Sequence, residues 1–120
     1  MLEISTRAKD NAIVVVISGD VDLYSSPEVR KAILGLTDKE TPLIVVDLKG
    51  VPYMDSSGIA TLVEGLQQVG KYKGRLILFG LNSAVREVFE LSRLDKVFHI
   101  FADEEAAFKS LANTPASASS

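Results

Sequence analysis

The run Leu43-Ile44-Val45-Val46-Asp47-Leu48-Lys49-Gly50 passes through Val51-Pro52-Tyr53-Met54 into Asp55-Ser56-Ser57-Gly58-Ile59, and the reading of this passage decides the fold. Its opening residues are aliphatic and largely β-branched without alternation, the pattern of a strand buried on both faces. Such strands belong to sheets with helices packed against them. Past the connection, Ile59, Leu62, Val63, Leu66 and Val69 recur at helical spacing until Gly74, which predicts the longest helix of the chain. A buried strand therefore delivers the chain through a short turn into a helix.

The flanking sequence extends the same architecture. Leu2, Ile4 and Thr6 alternate with Glu3, Ser5 and Arg7, then Lys9-Asp10-Asn11 turns the chain into Ile13 to Ile17, a hairpin that feeds an interior strand. Ser26 is the expected cap of a helix that opens on Pro27 and Glu28 and buries Val29, Ile33 and Leu36, and Thr41-Pro42 ends it. Arg75 to Phe79 reads as a strand, and Asn82 as the cap of a helix with Val85, Val88, Phe89 and Leu91 inward. Val97 to Phe101 is the expected last strand, and Asp103 caps a closing helix through Leu111.

The fold class is thus α/β, an open mixed sheet of about five strands and about four helices in the order β-β-α-β-α-β-α-β-α. A single domain over residues 1–112 is expected, followed by a small, polar tail at 113–120 read as disordered. In such sheets, sites gather at the carboxyl ends of the strands. Here that edge collects the segments Gly19 to Ser25 and Tyr53 to Ser57.

Composition narrows the function. With 120 residues, 47% of them hydrophobic, the chain can bury a core, and without Cys it can form neither a disulfide framework nor a thiolate metal site. The first ten residues carry Glu3, Arg7, Lys9 and Asp10, unlike a secretion signal, and no apolar run approaches the roughly 20 residues that span a bilayer. A cytoplasmic protein without a membrane partner is expected. A net charge of -3 with dispersed Lys and Arg offers no basic stripe, so nucleic acid is not expected as a partner. One His and scattered carboxylates give no metal-ligand spacing, and no cofactor is expected. A monomer or weak dimer is the expected state.

Asp55-Ser56-Ser57-Gly58 puts one acid, two hydroxyls and a glycine at a helix start. Helix capping accounts for one of them, since Asp and Ser oxygens accept first-turn amides for about 1 kcal/mol each. A serine there is also placed to carry phosphate, because free amides and the helix dipole receive an anion. A phosphate adds roughly -1.5 to -2 charge, which disrupts a close or acidic partner surface.

Met54-Asp55-Ser56-Ser57-Gly58 after Leu43 to Leu48, together with Gly19-Asp20-Val21-Asp22-Leu23 before a helix, resembles the STAS domain of bacterial anti-sigma-factor antagonists from about Leu2 to Leu111. Asp20 stands where that family usually has Glu, and Ala60 where it often has Gly. The resemblance implies a non-catalytic switch whose Ser56 is phosphorylated by an ATP-bound partner, both anti-sigma factor and serine-protein kinase, and dephosphorylated by a serine phosphatase. Unphosphorylated, it would bind the kinase and release sigma factor. It further implies that Asp55, Ser57 and Gly58 shape the turn and that Asp20, Asp22, Tyr24, Met54 and Ile59 meet the partner. Ser57 remains the alternative acceptor. A scaffold or sensor module that is never phosphorylated remains the alternative function.

Rival readings fit less well. A serine hydrolase could order Ser56, Asp95 and His99, but no Gly stands two residues before Ser56, and His99 falls inside an expected strand. A phospho-receiver built on Asp47 would need an early acidic pair and a late Lys-Pro, and no Pro follows Lys. Asp47 reads instead as a strand-exit residue. Gly65 to Lys71 imitates a phosphate-binding loop, but Tyr72 replaces its hydroxyl residue and the stretch lies within the long helix.

Overall fold

The structure is a computed structural model that describes residues 2–113. The expected tail, 113–120, lies outside the described residues apart from the backbone of Asn113. The elements run β1 (Glu3–Lys9), β2 (Ala12–Ser18), α1 (Ser26–Asp38), β3 (Leu43–Gly50), α2 (Ser56–Lys71), β4 (Arg75–Phe79), α3 (Ser83–Leu91), a 3₁₀ turn (Leu94–Lys96), β5 (His99–Phe101) and α4 (Glu104–Asn113). The five strands lie in the order β1-β2-β3-β4-β5, with β1 antiparallel to β2 and the other pairs parallel. This is the mixed α/β sheet expected from the sequence.

Strand alternation explains the layers. Val15 and Ile17 of β2, Ile44, Val46 and Leu48 of β3, and Leu76 and Leu78 of β4 enter one core with Val29 and Ile33 of α1, Leu62 and Val69 of α2, and Val85 and Phe89 of α3. The intervening Val14, Val45, Ile77 and Phe79 point to the opposite face, where Ala107, Phe108 and Leu111 of α4 cover them. Both faces are apolar because both are covered. Gly65 lets α1 and α2 approach, since a Cβ there would stand 2.7 Å from Ile33 Cγ2. The stretch that imitates a phosphate-binding loop is therefore a helix contact.

Three local expectations are corrected. Ser26 is not the α1 cap: Ser25 occupies that position without a side-chain cap bond, and Ser26 is buried within the helix. The loop in front of α1 closes on Asp22, as described below. Leu91 is 80% exposed, because α3 ends there and the left-handed turn at Arg93 (φ 60°) leads the chain away. The last strand is only His99–Phe101, since Val97 and Phe98 still donate to Leu94 O and belong to a turn. Asn82 and Asp103 do cap their helices, accepting from Val85 N and Ala106 N, each at 2.8 Å.

The first turn of α4 is fastened to β1 by charge. Glu104 accepts from both terminal nitrogens of Arg7 and from Lys9 Nζ at 2.8 Å, while Lys9 sits 4.6 Å above the Phe108 ring. Its hydrogen bonds to Arg7 and then to Lys9 pull the carboxyl from 4.5 to about 2. A carboxyl depressed by folding stabilises above its unfolded pKa and loses that contribution as pH falls toward the folded value. We expect the urea midpoint of the wild type to exceed that of Glu104→Gln at neutral pH. The difference should shrink between pH 4.5 and about 2. A gap independent of pH over that window would remove the ion pair from the account.

Candidate functional site

The loop after β2 and the loop after β3 are joined as a short parallel bridge between Val21 and Met54. Val21 N donates to Tyr53 O at 2.9 Å, and Asp55 N donates to Val21 O at 3.1 Å. One step earlier, Gly19 N donates to Gly50 O at 2.8 Å. The segments expected to share the carboxyl edge of the sheet are thus held by their own backbones. Val21 and Met54 are buried, so the bridge is also an apolar contact.

Gly58 completes this contact from the helix side. A Cβ on it would lie 2.7 Å from Met54 Cγ and 2.7 Å from Val21 Cγ1, closer than packed carbons tolerate. Absence of a side chain lets the first turn of α2 settle onto the bridge. Asp55 caps that turn from an extended backbone, its Oδ1 accepting from Ser57 N at 2.9 Å, from Gly58 N at 3.4 Å and from the Ser57 hydroxyl. The Ser57 hydroxyl bond, helped by the Ser57, Gly58 and Leu23 backbones, holds the Asp55 pKa below its ordinary value against the opposing effect of burial.

The two serines consequently differ. Ser57 is half-buried and committed to Asp55, whereas Ser56 is exposed and its hydroxyl has no hydrogen-bond partner among the described residues. One expectation about the anion needs correction. The amides of Ser57 and Gly58 are not free, because the Asp55 carboxylate already accepts from both. A phosphate on Ser56 would meet the helix dipole in the company of a carboxylate.

Across the bridge, the loop before α1 is an Asx turn. Asp22 Oδ1 accepts from Tyr24 N and Ser25 N, both at 3.0 Å, and Ser25 Oγ accepts from Asp22 N at 2.9 Å while donating to Asp20 O at 2.8 Å. Asp22 is half-buried, and Asp20 is exposed. Tyr24 is 90% exposed. Asp20, Asp22, Tyr24 and Glu28, with Leu2 and Pro52, line an open groove of ≈ 630 Å³.

Of the residues expected at a partner surface, Asp20, Asp22 and Tyr24 are brought together at this groove. Met54 and Ile59 are not on that surface: at 2% and 6% exposure, both are core residues that set the height of the loop and of α2. Sequence reasoning missed Leu23 and Tyr53, large apolar side chains left 69% and 51% exposed on the two bridged loops. Their position in segments rich in turn residues was the available signal. The rival residues lie apart from this arrangement. Asp47 is buried within β3, paired between β2 and β4 and accepting from Lys49 N at 2.9 Å, and His99 is exposed on β5 with no hydrogen bond to Ser56. Among the described residues, no group of three His, Cys, Asp or Glu side chains could hold a metal ion, and no helix is long and apolar enough to cross a membrane.

The Gly58 contact is open to a direct test. We expect Gly58→Ala to destabilise the domain by about 1–3 kcal/mol through overpacking, lessened by about 0.5–1 kcal/mol of helix propensity. Urea unfolding checks the sum, and a midpoint equal to or above that of the wild type would show that Val21 and Met54 yield freely.

Three comparisons bear on this geometry. The family model described as the STAS domain matches residues 3–107. An anti-sigma-B factor antagonist of Listeria monocytogenes is 31% identical over 99 residues, covering 82% of this chain and 86% of that protein, and one of Staphylococcus aureus is 28% identical, covering 82% and 92%. The crystal structure of an anti-sigma factor antagonist from Mycobacterium paratuberculosis superposes with a TM-score of 0.87 at 25% identity, covering 94% of this chain and 96% of that one.

Proposed function

The chain belongs to the STAS domain family, and from that premise we propose that it is an anti-sigma-factor antagonist switched by phosphorylation of Ser56. The observation that carries the proposal is the contrast at the α2 N-terminus, one serine exposed and unengaged beside one tied to the cap. The names of its relatives in Listeria and Staphylococcus support the antagonist reading. Like them it would act by binding, with an anti-sigma factor as its partner, and its setting would be the bacterial cytoplasm.

In this reading the unphosphorylated protein presents a joint surface made by both loops. Leu23, Tyr24 and Tyr53 give apolar contact, and Asp20, Asp22 and Glu28 select a partner with basic groups. The partner carries the kinase activity and an ATP, transfers the γ-phosphoryl group to Ser56 and is thereby released; a serine phosphatase restores the binding form. A phosphate of roughly -1.5 to -2 charge on the Ser56 oxygen meets the partner where the two surfaces pack. If that mismatch costs about 3 kcal/mol, affinity falls on the order of a hundredfold.

Binding by wild type, Ser56→Ala and Ser56→Asp tests the proposal, with capture from native extract, identification of the partner by mass spectrometry and phosphosite mapping. Wild type and Ser56→Ala should retain an anti-sigma factor with kinase character, and Ser56→Asp should lose most of it. Equal capture of non-kinase partners by all three, with no phosphate at Ser56, would instead establish a scaffold. Asp20→Asn separates docking from folding, since Asp20 uses only its backbone oxygen within the loop. It should weaken binding while leaving the urea midpoint unchanged.

A further inference from the structure

Two adjacent hydroxyls stand at the start of α2, and the protein itself distinguishes them. Resting on the reading of Ser56 as phosphoacceptor, we propose that Asp55 is the residue that determines acceptor choice, confining phosphoryl transfer to Ser56 by holding the Ser57 hydroxyl. Asp55 Oδ1 receives both the amide and the hydroxyl of Ser57, a two-point hold on one half-buried residue. Ser56, one position earlier, is exposed and held by neither group.

The chemistry of transfer makes this hold effective. A serine Oγ forms a bond to the γ-phosphorus of a nucleoside triphosphate as the bond from that phosphorus to the β–γ bridging oxygen breaks. The nucleoside diphosphate departs and the hydroxyl proton passes to a base on the kinase. For Ser57 to react in this way its hydroxyl must leave Asp55 and turn toward the donor. The incoming phosphoryl oxygens would then approach a carboxylate that bears like charge. Ser56 has no such hydrogen bond to break.

A carboxylate beside a hydroxyl can also activate it as a general base. Asp55 is a poor base at neutral pH, because the hydrogen bond from Ser57 itself, with those from backbone amides, keeps its pKa below the ordinary carboxyl value. The contact therefore sequesters Ser57. It also leaves Asp55 free of any second hydroxyl, as Ser56 makes no bond to it.

Two variants of the full chain test the assignment in its native host. Asp55→Asn keeps an oxygen that accepts from Ser57, and Asp55→Ala removes it. Peptide mapping should place phosphate on Ser56 in wild type and Asp55→Asn. In Asp55→Ala the ratio of Ser57 to Ser56 phosphate should rise on the order of tenfold to a hundredfold, the range set by one hydrogen bond to a charged group. Phosphate still confined to Ser56 in Asp55→Ala overturns the proposal. Phosphate on neither serine of the wild type overturns the switch reading first and this inference with it. Hydroxyl-proton exchange by NMR on the purified protein separates the two failures without a kinase. Ser57 should exchange at least about tenfold more slowly than Ser56 in wild type and Asp55→Asn, and equal rates would show that Asp55 does not hold it.

Discussion

The bridge between Val21 and Met54 is the constraint on which the rest of the site depends. Two loops leaving neighbouring parallel strands would ordinarily wander independently over the sheet edge. Here they exchange backbone hydrogen bonds through Val21, Tyr53 and Asp55, and their buried side chains meet under Gly58. The direction in which α2 leaves the sheet, the exposure of Ser56 and the nearness of the Asp22 turn all follow from that small piece of extra pairing. It works because the backbone groups it satisfies would otherwise be partly buried without partners.

Asp55 and Asp22 play parallel parts on either side of the bridge. Each uses one carboxylate oxygen to gather the amides that follow it, Asp55 at the first turn of α2 and Asp22 ahead of α1. Both are therefore structural groups first. Asp20 is the acid with no side-chain commitment to the loop, and Glu28 joins it at the rim of the groove. The negative character of this face is accordingly divided between charges that shape it and charges that are free to meet a partner, and only the second kind can be altered without altering the first.

Much of this architecture was legible in the sequence, and the exceptions share a cause. The hairpin, the buried strand β3 and the long helix α2 announce themselves because local pattern and burial agree over many residues. The family resemblance put Met54 and Ile59 at the partner surface, yet the bridge and the helix face draw both into the core, as the helical spacing of Ile59 already indicated. Leu91 looked like a core residue because it follows Val88 by three positions, although six residues from Val85 it is turned roughly 240° away around the helix. The α1 cap was misplaced because Asp22, Ser25 and Ser26 are all competent, and the side chains of Asp22 and Ser25 are committed to the turn from Asp20 to Ser25. The bridge itself has no local signature, since nothing in either loop names the other.

The clasp between Glu104 and Arg7 carries a consequence for how the domain comes into being. The residues it joins are 97 positions apart, and the helix it anchors is the cover of the second apolar face. A chain emerging from the ribosome can form the hairpin, α1, α2 and their shared core while that face is still bare. Until α4 has been synthesised, Val14, Val45, Ile77 and Phe79 are a contiguous apolar surface open to whatever else is present in the cell. Protection during that interval falls to chaperones or to speed, and the arginine of the first strand waits for an acid 97 positions further along the chain.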